Sequence, residues 1–214
     1  MMKTVLIVDD HAIVREGLKA ILQKMGFSKV REASSGRKAL ELVFHNEFSV
    51  IVLDINMTGM DGIEILKQIR GHDKTVPVLV LSMYTEEHYA IRAMRNGASG
   101  YLTKDSITTE LETAVQKIIS GRKYISAALA ERLAESLSAE TSDKPHERLT
   151  DREFQVMRLM LQGKSPSEMA EELHLSIKTI STHRVNIFEK LDIKSMVDLV
   201  RYAIRHDLCE WTRS

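Results

Sequence analysis

The chain of 214 residues has a single cysteine, Cys209. It can form no internal disulfide, and without a cysteine partner it cannot build a cysteine-rich zinc site. Aromatic residues are scarce at 5%, which argues against a reader of single strands that stacks bases on rings. No apolar run approaches the roughly 20 residues that span a bilayer. The Met1–Asp10 stretch also lacks the apolar core and cleavage site of a signal peptide. A cytoplasmic protein with no membrane role is the expectation. An excess of one charge is missing too: Lys+Arg 30 balances Asp+Glu 30, and the parts before and after residue 121 balance separately. Any nucleic-acid reading therefore rests on where charges sit, not on their total. The remainder, 43% hydrophobic and 28% charged, is an ordinary globular balance sufficient for one large domain or two modest ones.

Residues 1–121 alternate short apolar runs with longer amphipathic ones, the pattern of a parallel sheet with crossover helices. Thr4–Val8, Val50–Leu53 and Val78–Leu81 are rich in Val, Ile and Leu, as strands buried on both faces must be. Weaker strand signals cover Lys29–Glu32 and Ser99–Thr103. Helical periodicity fits His11–Met25, Gly36–His45, Gly62–Arg70, Glu86–Arg95 and Ile107–Ser120. Five such units make a doubly wound α/β domain with a five-stranded parallel sheet. Residues 122–147 then read as a helical segment, Ile125–Leu137, and a polar linker, Ser138–Glu147. After them no strand pattern returns. Helix starts are marked by Thr150 with Glu153, by Ser165 with Pro166 and Glu168, and by Ser176; a fourth helix covers Met196–Arg205. Residues 148–214 thus read as a small all-α domain.

In an open parallel sheet, ligands sit outside the carboxyl ends of the strands. The first strand ends at Asp9 and Asp10, the third at Asp54, the fourth at Ser82 and the fifth at Lys104. Three carboxylates crowded together repel one another, and a hard divalent cation such as magnesium relieves them. Asp54 is then placed to attack phosphorus, Ser82 to hydrogen-bond a phosphoryl oxygen, and Lys104 to neutralise its charge. Singly, each residue is explained as well by a cap, a turn or a solvated side chain. Their order and register favour a phosphoacceptor.

The motifs VLIVDDH (Val5–His11), VLDINMTGMDG (Val52–Gly62), VLVLSM (Val78–Met83) and GASGYLTKD (Gly97–Asp105) resemble the receiver domain of two-component response regulators. The resemblance implies that Asp54 takes a phosphoryl group from a sensor histidine kinase. It also implies magnesium held by Asp10, Asp54 and the main-chain carbonyl of Asn56, with Asp9 assisting. Ser82 and Tyr101 would form the switch, the hydroxyl moving toward the phosphoryl group and the ring turning inward. Thr58 departs from the family's usual proline, and Asp105 follows Lys104 where many receivers carry proline. A competing enzyme reading, a phosphatase of the haloacid-dehalogenase type, needs an acid two positions after the nucleophile; Asn56 stands there, and an amide cannot shuttle the proton.

In Leu149–Ile193, a helix, a short turn with Gly163, a second helix, a turn and a third helix have the layout of a helix-turn-helix reader. On a wheel of Ile177–Leu191, Ile180, Ile187 and Leu191 share the core side. Lys178, Thr182, Val185 and Glu189 project oppositely, flanked by Ser181 and Asn186. On helix pattern alone a plain helical bundle with a solvated face is the favoured account, since Leu149–Arg205 is nearly balanced in charge, but it leaves an exposed Val185 unexplained. Arg148–Leu208 is similar to the LuxR-type DNA-binding domain, through LTDRE (Leu149–Glu153), the Gly163–Ser165 turn, EMAEEL (Glu168–Leu173) and the Ile177–Leu191 helix. That resemblance assigns base contacts to Ser181, Thr182 and Val185, and phosphate contacts to Lys178, Thr179, His183 and Arg184. It makes the last helix a dimerising element, though core packing serves Val197, Leu199 and Val200 as well.

A receiver followed by a LuxR-type domain is the layout of NarL/FixJ-type response regulators. The implied protein is not an enzyme toward other substrates, though it catalyses its own phosphotransfer and dephosphorylation. Its expected partners are a sensor histidine kinase, double-stranded promoter DNA, RNA polymerase and a second copy of itself. A receiver that never takes phosphate, and a C-terminal domain that binds RNA or protein, remain as competing readings.

Overall fold

The apolar runs that read as strands are the interior of the computed structural model, which describes residues 3–57, 60, 62–83, 87–127, 129–131, 145–173, 175–206 and 208. The chain forms two compact units, Met1–Thr141 and Ser142–Ser214.

In the first unit, β1 (Thr4–Val8), β2 (Lys29–Ala33), β3 (Val50–Asp54), β4 (Val78–Ser82) and β5 (Gly100–Thr103) form one parallel sheet ordered β2-β1-β3-β4-β5. Every residue of β3 and β4 is buried, because helices cover both faces. The helices are α1 (Ala12–Lys24), α2 (Gly36–His45), α3 (Gly62–His72), α4 (Glu87–Arg95) and α5 (Ile107–Ile119). Strand alternation sorts the core. Val5, Ile7, Val50, Val52, Leu79, Leu81 and Leu102 pack with Leu18 and Leu22 of α1 and Leu111, Val115 and Ile118 of α5. The intervening Leu6, Ile51, Leu53, Val78 and Val80 are as deeply buried on the other face.

The sheet order reverses between β1 and β3, which opens a crevice above their carboxyl ends. Its floor is tight. A Cβ on Gly62, the first residue of α3, would come within 2.3 Å of Ile55 Cα, so this helix start tolerates no side chain.

The second unit contains α6 (Asp151–Leu161), α7 (Pro166–Glu172), α8 (Ile177–Leu191) and α9 (Met196–Arg205). Its helix starts follow the sequence signals. Thr150 and Glu153 form a capping box, with the Glu153 N–H donating to Thr150 Oγ1 at 3.2 Å and the Thr150 N–H to Glu153 Oε2 at 2.7 Å. Ser165 and Glu168 form another, ahead of Pro166 at the first helical position. Gly163, at φ +78°, ends α6: its N–H donates to Met160 O and that of Lys164 to Leu159 O, the paired closure a left-handed residue permits. Ile180, Ile187 and Leu191 of α8 are buried, as are Phe154, Val156, Met157, Met169, Leu199 and Ala203 on the other helices.

Two expectations differ from what is observed. β3 and β4 each run one residue further, so Asp54 and Ser82 are strand residues, paired in register with Leu81 and Thr103. The polar stretch read as a linker through Glu147 is described only from Pro145, and there it is a 3-10 turn, Pro145–Arg148. His146 is 2% exposed in it, and its Nδ1 lies 2.8 Å from the Tyr202 hydroxyl, with the His206 ring edge-on to His146 and tilted against Tyr202. One buried ring in a polar run leaves no periodic trace. Thr58, Glu86, residues 132–144, Cys209 and Trp211 lie outside the described residues.

Gly62→Ala should lower stability by about 1–3 kcal/mol, the range for forcing an atom into a packed site. Gly71→Ala in the same helix, where a Cβ meets nothing within 4 Å, should be neutral or stabilising by up to about 1 kcal/mol. Urea unfolding of both variants checks the contrast; equal effects would mean that the Ile55 contact yields without cost.

Candidate functional site

The strand register brings the acidic residues together. Asp9 follows β1, Asp54 ends β3, and both are fully buried. Two unpaired carboxylates could not remain charged there, because burial disfavours the ionised form. Lys104, in the 3-10 turn after β5, supplies the counter-charge: its Nζ donates to Asp9 Oδ2 and Asp54 Oδ2, each at 2.7 Å, with the side chain only 8% exposed. Burial pushes the Asp54 carboxyl up to about 6, with Lys104 pulling it down and Asp9 pushing it further up. Burial alone would lower the Lys104 ammonium, but Asp54 and Asp9 outweigh it and hold the group above its ordinary value.

The other oxygens are engaged locally. Asp54 Oδ1 accepts the Asn56 N–H at 2.8 Å, and Asp9 Oδ1 the His11 N–H at 2.8 Å. Asp10, 14% exposed, lies 2.8 Å from His11 Nδ1. Ligand atoms of Asp9, Asp10, His11 and Asp54 all lie within 4.8 Å of one another. Three carboxylates at that spacing fit a hard divalent cation. Ser82, fully buried, donates to Asn56 Oδ1 at 3.0 Å, and the Met83 N–H donates to the same oxygen at 3.0 Å. The Tyr101 ring lies inside, 2% exposed. Asp9, Asp10, Asp54, Ser82 and Lys104 thus share one crevice, with Asn56 connecting Asp54 to Ser82.

In the second unit, α8 presents Lys178, Ser181, Thr182 and Val185 to solvent, with Val185 56% exposed. Thr179, His183 and Arg184 are half-buried at the edges of that face. The Ser181 and Thr182 hydroxyls donate to the carbonyls of Ile177 and Lys178 one turn back, at 3.0 and 3.1 Å. Their oxygens keep lone pairs that can accept from a ligand. Burial lowers the His183 pKa, with Glu153 opposing and Arg152 and Lys190 reinforcing the shift; its neutral form is favoured.

Comparison with known proteins bears on both units. The family described as "Response regulator receiver domain" matches residues 5–116, and "Bacterial regulatory proteins, luxR family" matches residues 147–203. The response regulator UvrY of Escherichia coli K12 is 36% identical over 210 residues, covering 97% of this chain and 96% of that protein. The chain is a response regulator. It carries a receiver domain and a LuxR-type DNA-binding domain, the arrangement of the NarL/FixJ family. The response regulator GacA of Pseudomonas aeruginosa is 33% identical over 208 residues, covering 96% of this chain and 97% of that one. Among solved structures, RcsB of Salmonella enterica serovar Typhimurium, bound to promoter P1flhDC in the presence of the phosphomimetic BeF3−, matches at 27% identity and a TM-score of 0.59 over 94% of this chain and 98% of that one. Among the described residues, no helix of the regulator is long and apolar enough to cross a membrane.

Three features of the regulator escape a reading of motifs. His11 joins the acidic cluster, and its only sequence signal is its place directly after the acid pair. Arg15, one turn into α1, donates to the Asp9 carbonyl at 2.9 Å while its Nε lies 3.5 Å from Glu32, bracing the loop that carries the acids. Lys190 donates to Glu153 Oε2 at 2.7 Å, tying the far end of α8 to the capping box that opens α6. No local pattern connects residues so far apart in the chain.

That last bond yields a stability prediction. Burial would raise the Glu153 carboxyl, but the hydrogen bonds from Lys190 and Thr150 outweigh it and hold the group below its ordinary range. A depressed folded-state pKa means the stabilisation is fully present above the unfolded value near 4.5 and is lost as pH falls through the lower folded value. Glu153→Gln should cost about 1–3 kcal/mol at neutral pH, since Glu153 is buried while Lys190 is only partly so. The difference from the parent should shrink as pH falls below about 4.5. Denaturation across that window checks both the size and the sign.

Proposed function

We propose that Asp54 is the phosphoacceptor, and that its phosphorylation by a sensor histidine kinase governs sequence-specific binding of promoter DNA through α8. The observation that carries the reading is the Lys104 ammonium held between two buried carboxylates at 2.7 Å each. A cation so placed is already positioned for an anion that forms on Asp54.

In the transfer, an Asp54 carboxylate oxygen forms a bond to phosphorus while the bond from phosphorus to the kinase histidine breaks. Asp9, Asp10, Asp54 and the Asn56 main-chain carbonyl would hold Mg2+, which when bound neutralises charge among the carboxylates and the phosphoryl oxygens. Lys104 then faces an aspartyl phosphate of roughly −2 charge, which draws it more strongly than the carboxylate did. The Ser82 hydroxyl exchanges its bond to Asn56 Oδ1 for one to a phosphoryl oxygen. Tyr101, inward in the structure described, holds the position that this exchange would favour. The phosphoryl group therefore stabilises one of two receiver conformations.

The second domain begins, in this reading, at Pro145 and not at 148, because His146 is buried against Tyr202; the receiver extends past residue 121 to Tyr124, which is buried in its core and bridges to Gly100, and the residues between connect the two. Ser181, Thr182 and Val185 meet base edges, Val185 suiting a thymine methyl. Lys178, Thr179, His183 and Arg184 meet phosphates, with His183 acting as a neutral hydrogen-bond donor. RcsB in complex with promoter DNA supports this assignment by similarity. Two copies would place two α8 helices one DNA turn, roughly 34 Å, apart on a near-palindromic site. The protein would work in the cytoplasm and engage RNA polymerase at the promoter.

Asp54→Asn should abolish labelling by a small phosphodonor such as acetyl phosphate; retained labelling would move the acceptor elsewhere. On DNA, Lys178→Ala should weaken all sequences alike and flatten the salt dependence by about one unit. Val185→Ala should relax preference at one or two base pairs at a cost of roughly 1 kcal/mol or less. Binding-site selection at two salt concentrations separates the two, and a changed base preference in the lysine variant would contradict its role.

A further inference from the structure

We propose that His11 is a ligand of the cation bound in the acidic pocket, and that its imidazole raises the pocket's affinity for the later first-row transition ions, such as Co2+ and Ni2+, relative to magnesium. The inference rests on the reading of that pocket as a cation site. His11 occupies the N-cap of α1, where a short polar side chain ordinarily accepts from the first free N–H groups of the helix; its side chain makes no such bond. The residue is turned toward the acids instead. Its backbone N–H is fastened to Asp9 Oδ1 at 2.8 Å, and its Nδ1 lies 2.8 Å from Asp10 Oδ1 and 3.3 Å from Asp9 Oδ1.

The distances suit a single ion. Ligand bonds of about 2.0–2.6 Å put atoms on opposite sides of one cation roughly 4–5 Å apart, and the four ligand atoms lie within 4.8 Å of one another. Asp9 cannot turn both oxygens to the ion, because Oδ2 is taken by Lys104. The remaining oxygen, Oδ1, is the one that faces His11. The His11 side chain is 66% exposed, so a small rotation of the ring displaces no core packing.

Ligand chemistry then decides which ions gain. Carboxylates alone select hard ions, and magnesium keeps much of its water, so it profits little from an imidazole. Carboxylate, carbonyl and water suit manganese as they suit magnesium, whereas imidazole nitrogen suits the later first-row ions, whose affinities rise through cobalt to nickel and copper. The consequence of His11 is therefore selectivity among cations, not cation binding as such.

The test uses the full chain. Mg2+, Mn2+ and Co2+ are titrated into the wild type, His11→Ala and Asp10→Asn, and the Mn2+-loaded samples are examined by pulsed electron paramagnetic resonance for directly bonded nitrogen. The wild type should show nitrogen coupling that both variants lose. His11→Ala should bind Co2+ about tenfold more weakly while its Mg2+ affinity changes by less than about twofold. Coupling that persists in His11→Ala, wild-type Mn2+ bound without nitrogen coupling, or equal weakening of Mg2+ and Co2+ would each overturn the proposal. Failure of the wild type to bind Mg2+, or unchanged Mg2+ binding in Asp10→Asn, would instead overturn the cation-site reading, and the proposal with it. Because the coupling is read first on the wild type, the test does not depend on how the variants fold.

Discussion

The burial of two carboxylates beneath one lysine constrains the receiver domain more than any other interaction. Asp9 and Asp54 have no exposure to water, and Lys104 reaches both at 2.7 Å. Either acid left alone would be driven toward its neutral form by desolvation, and a neutral Asp54 would be a poor nucleophile. The lysine comes from the end of the last strand and the acids from the ends of the first and third, so the cluster forms only once β1, β3 and β5 are in register. Hydrophobic burial of the strands therefore does more than stabilise the fold: it sets the charges at hydrogen-bonding distance.

The second domain solves a different problem with similar means. Its α8 shows polar side chains to solvent while its back is fixed by the buried Ile180, Ile187 and Leu191 and, at its far end, by Lys190 on Glu153. Its start is capped by Ser176, which accepts the Thr179 N–H at 3.0 Å, and its end is turned by Asp192 in the left-handed region. What remains outward includes Lys178, Ser181, Thr182 and the methyls of Val185.

Much of this was legible in the residues themselves. The strand runs, the capping pairs and the apolar wheel of α8 are local patterns, and local patterns survive in sequence because the backbone geometry that uses them is periodic. The acid, hydroxyl and lysine positions could be placed on one crevice because a parallel sheet puts all its strand ends on one side. Less was legible wherever a residue acts across the fold or against expectation. His146 looked like part of a polar connection, yet its ring is enclosed by Tyr202 and His206. Glu153 looked like a cap and is also an ion-pair partner. Asn56 was read for its main-chain carbonyl, while its side-chain amide oxygen accepts from Ser82 and its N–H donates to Asp54. Residues 132–144 of the connecting segment lie outside the described residues.

The amino-acid order alone determined the two-domain plan, the doubly wound sheet and which residue types stand at the strand ends, because hydrophobic periodicity and capping chemistry are read within a few residues of each other. Only the tertiary structure decided which oxygen each cation touches, that His11 turns to the acids instead of capping its helix, and that Lys190 reaches back to Glu153. Those outcomes depend on distances between segments tens of residues apart, and such distances are set by packing and by the desolvation of charge, neither of which leaves a pattern in a linear chain.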